Sequence, residues 1–297
     1  LPIAALLFAA TRLRIAHIPP DKGKRLDIVG SLLLSVSLLV LLTGFDRLVA
    51  GLSHPLPWIL IGVGLLLFLV TLRHLRRAKD PAVSLTPMAI PGFRTTAIGA
   101  GAAIRVPQRA MLFALPLMFQ LGFGFSPFIS GLLLIALNAG DMITKPWVKP
   151  VFDRYGYRTT VFVSSLAGLA ALAAITLAAR GSSLIPLLIV CLTICGISRS
   201  LVFTGMTSLT FATLSGPNIS SGNVLASISM QLFNTVAISV TAVLLSLSAQ
   251  LSGHGEPAMW DYRVTMIAVI VIGLGATFMI RRQLPHDLSE VHAEDPV

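Results

Sequence analysis

Long apolar stretches recur along the chain and constrain its fold more than any other feature. Runs of about 18–25 apolar residues alternate with short polar segments, and a helix of that length crosses about 30 Å of hydrocarbon. A transmembrane barrel would show segments of about ten residues with alternating hydrophobicity instead. Hydrophobic residues make up 55% of the chain and charged residues 11%, which is too apolar for a soluble domain. The sequence therefore predicts an all-α polytopic membrane protein.

We predict one partial and eight complete spans. The partial span, LPIAALLFAA, is about half the length that a membrane crossing needs. No basic segment precedes it, so it does not fit a signal peptide, and we expect the chain to begin inside a helix. The complete spans are expected at 28–45, 57–72, 95–121, 128–149, 159–179, 184–205, 222–249 and 264–280.

Basic residues are distributed unevenly between the two sides of this arrangement. If the first loop is cytoplasmic, the outer loops hold only Arg47, Arg180 and Arg263. The inner loops hold Arg12, Arg14, Lys22, Lys24, Arg25, Arg73, Arg76, Arg77, Lys79, Arg94, Lys145, Lys149, Arg154, Arg158, Arg281 and Arg282. This positive-inside pattern predicts a cytoplasmic C-terminus. We expect the protein in the plasma (inner) membrane.

Several other functions are excluded by what the sequence contains. The net charge of +10 comes from short loops between spans and not from one basic domain, which argues against a nucleic-acid partner. Cys191 and Cys195 lie one helical turn apart, but without a nearby His or acid they make a poor metal site and are better explained as small buried residues. Zinc spacing, a nucleophile elbow and a phosphate-binding glycine loop are absent from the sequence, so we expect no enzyme activity and no cofactor.

A charged cluster, VFDRYGYR, interrupts the apolar sequence at residues 151–158. Its simplest explanation is a positive-inside anchor with a turn at Gly156. That explanation leaves Asp153 unaccounted for. We expect Asp153 either to cap the following helix or to pair with Arg158 across the turn.

The stretch FQLGFGFSPFISGLLLIALNAGDMITKPWVKPVFDRYGYR, residues 119–158, resembles the major facilitator superfamily. More narrowly, it is similar to the fourteen-helix drug:proton antiporter branch (EmrB/QacA type). The segments LPIAALLFAA, RLDIVGSLLL and SSGNVLASISMQLFNT resemble, in order, the end of its sixth helix, the entry to its extra helix pair and the start of its penultimate helix. The resemblance implies that Asp153, Arg154, Gly156 and Arg158 form a cytoplasmic gating loop.

The resemblance also implies a division of the chain. Residues 1–15 would be the tail of a truncated helix, 16–27 a cytoplasmic loop, 28–93 two linker helices and a loop, 94–282 the C-terminal six-helix bundle and 283–297 a cytoplasmic tail. The N-terminal bundle would be missing, and alternating access needs two bundles around a midplane site. The implied function is proton-coupled export of small amphipathic molecules by a protein embedded in the lipid bilayer, and we expect one bundle alone not to transport. The alternative is a non-transporting remnant or a membrane scaffold.

Ionisable side chains at membrane depth are costly and are therefore candidate functional residues. Arg105 and Arg109 lie one turn apart and must face a wet cavity or acids, although Arg105 could instead bind backbone carbonyls. Asp141, the only acid within the predicted spans, either pairs with Lys145 or carries a coupling proton. The candidates for the substrate or proton pathway are Arg105, Gln108, Arg109, Gln120, Asn138, Asp141, Lys145, Arg199, Gln231 and Asn234. The polar ones could equally hold helices together.

The charged residues within the spans leave the bundle cationic, since Asp141 is the one negative charge that balances Arg105, Arg109 and Arg199. Acids on a missing bundle would balance this charge, and so would an anionic substrate. The implied absence of the partner bundle favours the first explanation.

Overall fold

The computed structural model describes residues 27–49, 54–178, 184–216, 218–253 and 257–283, and every regular element in these ranges is helical. Within them, seven helices are long and apolar enough to cross a membrane. The all-α polytopic fold class is confirmed. The helices are α1 Ile28–Val49, α2 Pro55–Arg77, α3 Pro91–Ala97, α4 Ala100–Ala103, α5 Arg105–Leu117, α6 Pro127–Thr144, α7 Val148–Tyr155, α8 Tyr157–Leu177, α9 Ile185–Ala212, α10 Asn218–Leu251 and α11 Met259–Gln283.

The span predicted at 95–121 is a broken helix rather than a continuous one. It is divided into α3, α4 and α5 and ends in a π-helical turn, Met118–Gly122. Pro107 follows the second break and cannot donate to the carbonyl of Ala103, while Pro116 precedes the π-helical turn. Proline removes a helical hydrogen bond and crowds the preceding turn, which explains both irregularities.

Six helical segments form one bundle. Along the bundle, α6 packs on α9, α9 on α8, α8 on α11, α11 on α5, and α5 on α10. The six segments are the broken segment α3–α5 and the five long helices α6, α8, α9, α10 and α11. Leu, Met and Phe side chains fill its centre, including Phe119, Leu137 and Met206 with essentially no exposure.

The helices α1 and α2 form a hairpin beside this bundle. They pack against each other, and α1 packs against α10, where the Ser239 hydroxyl donates to the Phe45 carbonyl at 2.7 Å. At the other end, Asp27 accepts from the Gly30 N–H at 2.7 Å and contacts His74 at 3.1 Å. The carboxylate therefore caps α1 and joins it to α2.

Large apolar side chains cover the outside of the molecule. Leu39, Leu66 and Phe128 are more than half exposed, and such a surface is compatible with lipid and not with water. The spans predicted in the described ranges agree with helices, but most helices extend several residues beyond the predicted ends. The partial span at 1–10, the loop to residue 26 and the tail from 284 lie outside the described residues.

Candidate functional site

Three helices surround a cavity of about 230 Å³ in the bundle. The helices α6 and α9 pack closely together, whereas α5 touches α6 only weakly. The cavity lies in the space that this packing leaves between α5 and the other two helices. Polar and charged side chains dominate its lining, which is unusual inside a membrane bundle. The lining residues are Gln108, Arg109, Leu112, Asp141, Lys145, Arg199 and Phe203.

Asp141 is the point at which the charges of the cavity converge. Its carboxylate accepts from the Arg199 guanidinium at 2.9 Å and lies 3.3 Å from the Lys145 ammonium. Asn138 accepts a second bond from Arg199 at 3.3 Å. The side chains of Asp141 and Arg199 remain 24% and 20% exposed, so the ion pair borders open space. The predicted Asp141–Lys145 pair is present, but the nearer cation is Arg199.

The close seam between α6 and α9 brings these groups together. A Cβ on Gly196 would overlap the Leu137 carbonyl oxygen, and one on Gly140 would overlap the Thr193 carbonyl oxygen. The Ser200 hydroxyl also donates to the Asp141 carbonyl at 3.2 Å. Small residues at both positions let the two backbones approach, as is common between membrane helices.

The two arginines of α5 have different surroundings. Arg109 is half-buried in the cavity wall and forms no ion pair with any described residue. Arg105 is 7% exposed, its Nε atom has no hydrogen-bond partner, and its guanidinium carbon lies 5.8 Å from the ring centroid of Phe203. Arg105 thus stands behind the aromatic wall of the same cavity.

Pro107, which lies between the two arginines, packs on α11. A Cβ on Gly273 would come within 2.6 Å of the Pro107 ring. The glycine leaves room for the proline ring, so α5 and α11 pack closely at this point.

The remaining predicted pathway residues do not line this cavity. Gln120 lies half-buried in the π-helical turn, and Gln231 is exposed on α10. Asn234, also on α10, has a buried Oδ1 atom without a partner. The residues brought together are therefore those of α5, α6 and α9, and the sequence alone could not select them from the longer set.

The charged cluster at 151–158 is mostly helix and not loop. Residues up to Tyr155 belong to α7, and Gly156, with a φ of 73°, is the one residue between α7 and α8. Asp153 pairs with Lys149 at 2.7 Å within α7, so both expectations for Asp153, capping α8 and pairing with Arg158, are wrong. Lys149 is one turn away on the same helix face, which makes it the nearest cation.

Aromatic contacts rather than charges hold this turn. The rings of Phe152 and Tyr157 stack with centroids 4.5 Å apart, and Phe152 is buried. The Arg154 guanidinium lies 5.5 Å from the Tyr155 ring centroid. Arg158 is partly exposed.

A second acid within a helix was missed by the prediction. Asp261 lies in the first turn of α11, which begins five residues before the predicted span, and it is fully buried. It accepts from the hydroxyls of Ser248 and Ser252 at 2.7 and 2.9 Å and from the Ala258 N–H at 2.8 Å. An acid at a helix start is a recognisable capping signal. Asp261 fixes the α10–α11 turn and is not among the residues that line the cavity. Asp46 also falls within a helix, at the exposed end of α1.

Metal-binding chemistry has no candidate group in the described part of the chain, where no three His, Cys, Asp or Glu side chains cluster. Cys191 and Cys195 are buried free thiols of α9. They pack in the apolar core, as expected for small buried residues.

Comparisons with known proteins agree with this architecture. The sequence profile of the Major Facilitator Superfamily matches residues 97–296. The MdtD protein of Pectobacterium carotovorum, whose name provisionally assigns it to multidrug resistance, is 31% identical over 272 residues, which cover 90% of this chain and 57% of that protein. The MdtD protein of Salmonella paratyphi A is 32% identical over 231 residues, which cover 76% and 48%. The chain therefore spans about half the length of the curated relatives it matches.

Proposed function

The chain belongs to the major facilitator superfamily of membrane transporters, and on that premise we propose that it forms the C-terminal half of a proton-coupled exporter of small amphipathic molecules. Residues 94–282 supply one six-helix bundle, and a second bundle completes the pathway. The hairpin α1–α2 is the extra helix pair of the fourteen-helix drug:proton antiporter branch. The observation that carries the proposal is the charged cavity between α5, α6 and α9.

The cavity supports transport because of where it lies and what lines it. Arg199 is near the middle of α9, and charged groups at that depth are costly and typically mark substrate or ion pathways. Leu112 and Phe203 add an apolar wall to the charged one, which suits an amphipathic ligand. A facing bundle would close the cavity and allow it to open to each side in turn.

The cytoplasmic turn at Gly156 supports a gating role in this proposal. The pair Lys149–Asp153 is exposed on α7, so its charges are free to exchange partners with a facing bundle. Phe152 stays packed in the core while these charges change. We assign Asp153, Arg154 and Arg158 to contacts that form and break as the cytoplasmic side opens.

Proton coupling needs a carboxylate that can become neutral during the cycle. Asp141 accepts from one cation and lies beside a second, and such a carboxylate is a poor proton carrier. We therefore place the proton-carrying acid in the facing bundle and give Asp141 the role of holding Arg199 and Lys145. The inward proton gradient across the plasma membrane drives export, with the C-terminus in the cytoplasm.

Dye uptake by inverted membrane vesicles, into which an exporter pumps its substrate, tests this function. The protein at its native length, established by intact mass from its own membrane, is expected to accumulate amphipathic dyes in vesicles only while a pH gradient is present. A protonophore should abolish the accumulation. Accumulation that survives the protonophore would contradict proton coupling, and failure with a broad dye panel would favour a non-transporting scaffold.

Arg105 provides the residue test of the same proposal. Arg105→Ala should reduce export at least tenfold with normal membrane expression, because it removes the cation behind Phe203. Arg47→Ala, at the exposed end of α1, is the matched control and should export normally. Undiminished export by Arg105→Ala would reduce Arg105 to a packing residue.

A further inference from the structure

The cavity contains more positive than negative charge, and this imbalance identifies a class of ligand. Arg109, Lys145 and Arg199 line it together with a single carboxylate, Asp141. Both Arg199 and Lys145 already share that carboxylate, at 2.9 and 3.3 Å. Among the described residues that line the cavity, Arg109 therefore has no acid left to pair with.

A buried cation behind the wall adds to the imbalance. Arg105 is 7% exposed, and its Nε atom is buried without a hydrogen-bond partner. The Phe203 ring, which lines the cavity, lies 5.8 Å from the Arg105 guanidinium. An unneutralised buried charge is costly, so the site favours any ligand that brings a negative group close to it.

The geometry matches an organic anion. Guanidinium groups bind carboxylates, sulfonates and phosphates through paired hydrogen bonds. Leu112 and Phe203 provide the apolar surface for the rest of such a molecule. Gln108, which also lines the cavity, can donate to a further oxygen.

We propose that this cavity binds the anionic head group of an amphipathic organic anion, with Arg109 as its ion-pair partner. The inference rests on the proposed transport function and specifies its substrate class. Asp141 orients Arg199 and Lys145 around the head group, while Arg105 adds long-range attraction through the Phe203 wall. The competing explanation, that acids of a facing bundle neutralise Arg109, predicts a preference for neutral or cationic ligands.

Two dyes with the same xanthene body separate these explanations. Fluorescein is an anion at neutral pH and rhodamine 6G is a cation. Equilibrium binding to the purified native-length protein should be tighter for fluorescein. Arg109→Gln should weaken fluorescein binding about 10- to 100-fold and leave rhodamine 6G binding unchanged or improved. Arg109→Lys should lose less, because it keeps the charge without the planar fork.

Arg47→Gln is the matched control, since it removes one exposed positive charge outside the cavity. If Arg109→Gln does not fold, modification of the unmutated protein by phenylglyoxal answers the same question. Fluorescein should protect Arg109 from the reagent, and mass spectrometry should show Arg47 modified equally with and without the dye.

Two results would overturn the proposal: rhodamine 6G binding more tightly than fluorescein, or fluorescein binding that is insensitive to Arg109 by both methods. Proton-driven export of rhodamine 6G in either case would leave the transport function standing. The excess positive charge of the cavity would then be neutralised by acids of a facing bundle. Loss of all proton-driven export would instead be the failure of the transport function itself.

Discussion

At the residue scale, Asp141 determines how the cavity's positive charges are arranged. Replacing it with Asn leaves Arg199 and Lys145 without their shared partner. Because Asp141 and Arg199 are only 24% and 20% exposed, we expect Asp141→Asn to lower the free energy of unfolding by about 1–3 kcal/mol. Thermal unfolding in lipid-containing detergent measures this loss.

Asp153 offers a matched comparison, since it also pairs with a lysine one turn away. Lys149 and Asp153 have side chains that are 86% and 60% exposed, and exposed pairs contribute little. Asp153→Asn should leave the unfolding temperature nearly unchanged. An equal change in unfolding temperature for the two substitutions would show that the Asp141 ion pairs stabilise the protein no more than the exposed Asp153 pair does.

The sequence predicts local partners at this scale and misses distant ones. The spacing of Asp141 and Lys145 is enough to predict their contact, because helical neighbours four residues apart face each other. Arg199 is 58 residues from Asp141 in sequence, and their contact depends on how closely α6 and α9 approach. Asp153 was assigned wrong partners because the segment before Gly156 is helical, which brings Lys149 beside it.

At the element scale, the α6–α9 seam depends on having no side chain at Gly196. A methyl group there would overlap the Leu137 carbonyl oxygen, and the helices would have to separate. Gly196→Ala should therefore destabilise the protein by about 1–3 kcal/mol and weaken the Arg199–Asp141 pair. Unfolding temperature and fluorescein affinity should fall together.

Gly131→Ala on the same helix pair is the control for the chemistry of the substitution. A Cβ at Gly131 meets nothing within 4 Å, and alanine favours the helix by up to about 1 kcal/mol. This variant should be neutral or slightly more stable. A Gly196→Ala protein as stable as Gly131→Ala would mean that the seam tolerates separation.

The α1–α2 hairpin should respond to acid at the end that holds Asp27 and His74. The hydrogen bond from the Gly30 N–H holds the pKa of Asp27 below its ordinary value of 3.8, and the hydrogen bond with His74 is the second cause. A depressed carboxyl pKa stabilises the fold above the ordinary value and stops doing so as pH falls through the lowered value. The Gly30 amide should thus be protected from hydrogen exchange above about pH 5 and should lose this protection below pH 3.8. Both rates are compared with the intrinsic exchange rate at the same pH.

Asp27→Ala should expose the Gly30 amide at neutral pH, because alanine has no side-chain acceptor for the Gly30 N–H. Asp80→Ala serves as control, because Asp80 is exposed in the loop after α2. Full protection of Gly30 in Asp27→Ala would show that the carboxylate does not stabilise the start of α1.

Elements were predicted better than their ends or interruptions. Apolar length identifies the spans because the bilayer imposes it. The same measure cannot find the breaks between α3, α4 and α5, since apolar composition continues through them. Pro107 and Pro116 mark the irregularities, but whether a proline bends, breaks or merely loosens a helix depends on its neighbours. For Pro107 that neighbour is Gly273 on α11.

At the scale of the whole molecule, the loop charges predict which side each end of the bundle faces. In a protein with both native cysteines replaced by alanine, Tyr155→Cys should be labelled by an impermeant maleimide only after the cells are opened. Leu251→Cys, at the opposite end and 89% exposed, should be labelled in intact cells. Labelling of residue 155 from outside would reverse the orientation.

The attachment of the α1–α2 hairpin also bears on how such proteins can be engineered and diversified. It reaches the bundle mainly through one face of α1 on α10, and most of α2 is held through α1. Because it has a single seam, we expect the hairpin to be exchangeable for that of a related protein if the α10 surface around Ser239 is refitted at the same time. The fold is therefore modular at this seam, and a chimaera that retains the six-helix unit should keep the cavity of α5, α6 and α9 unchanged.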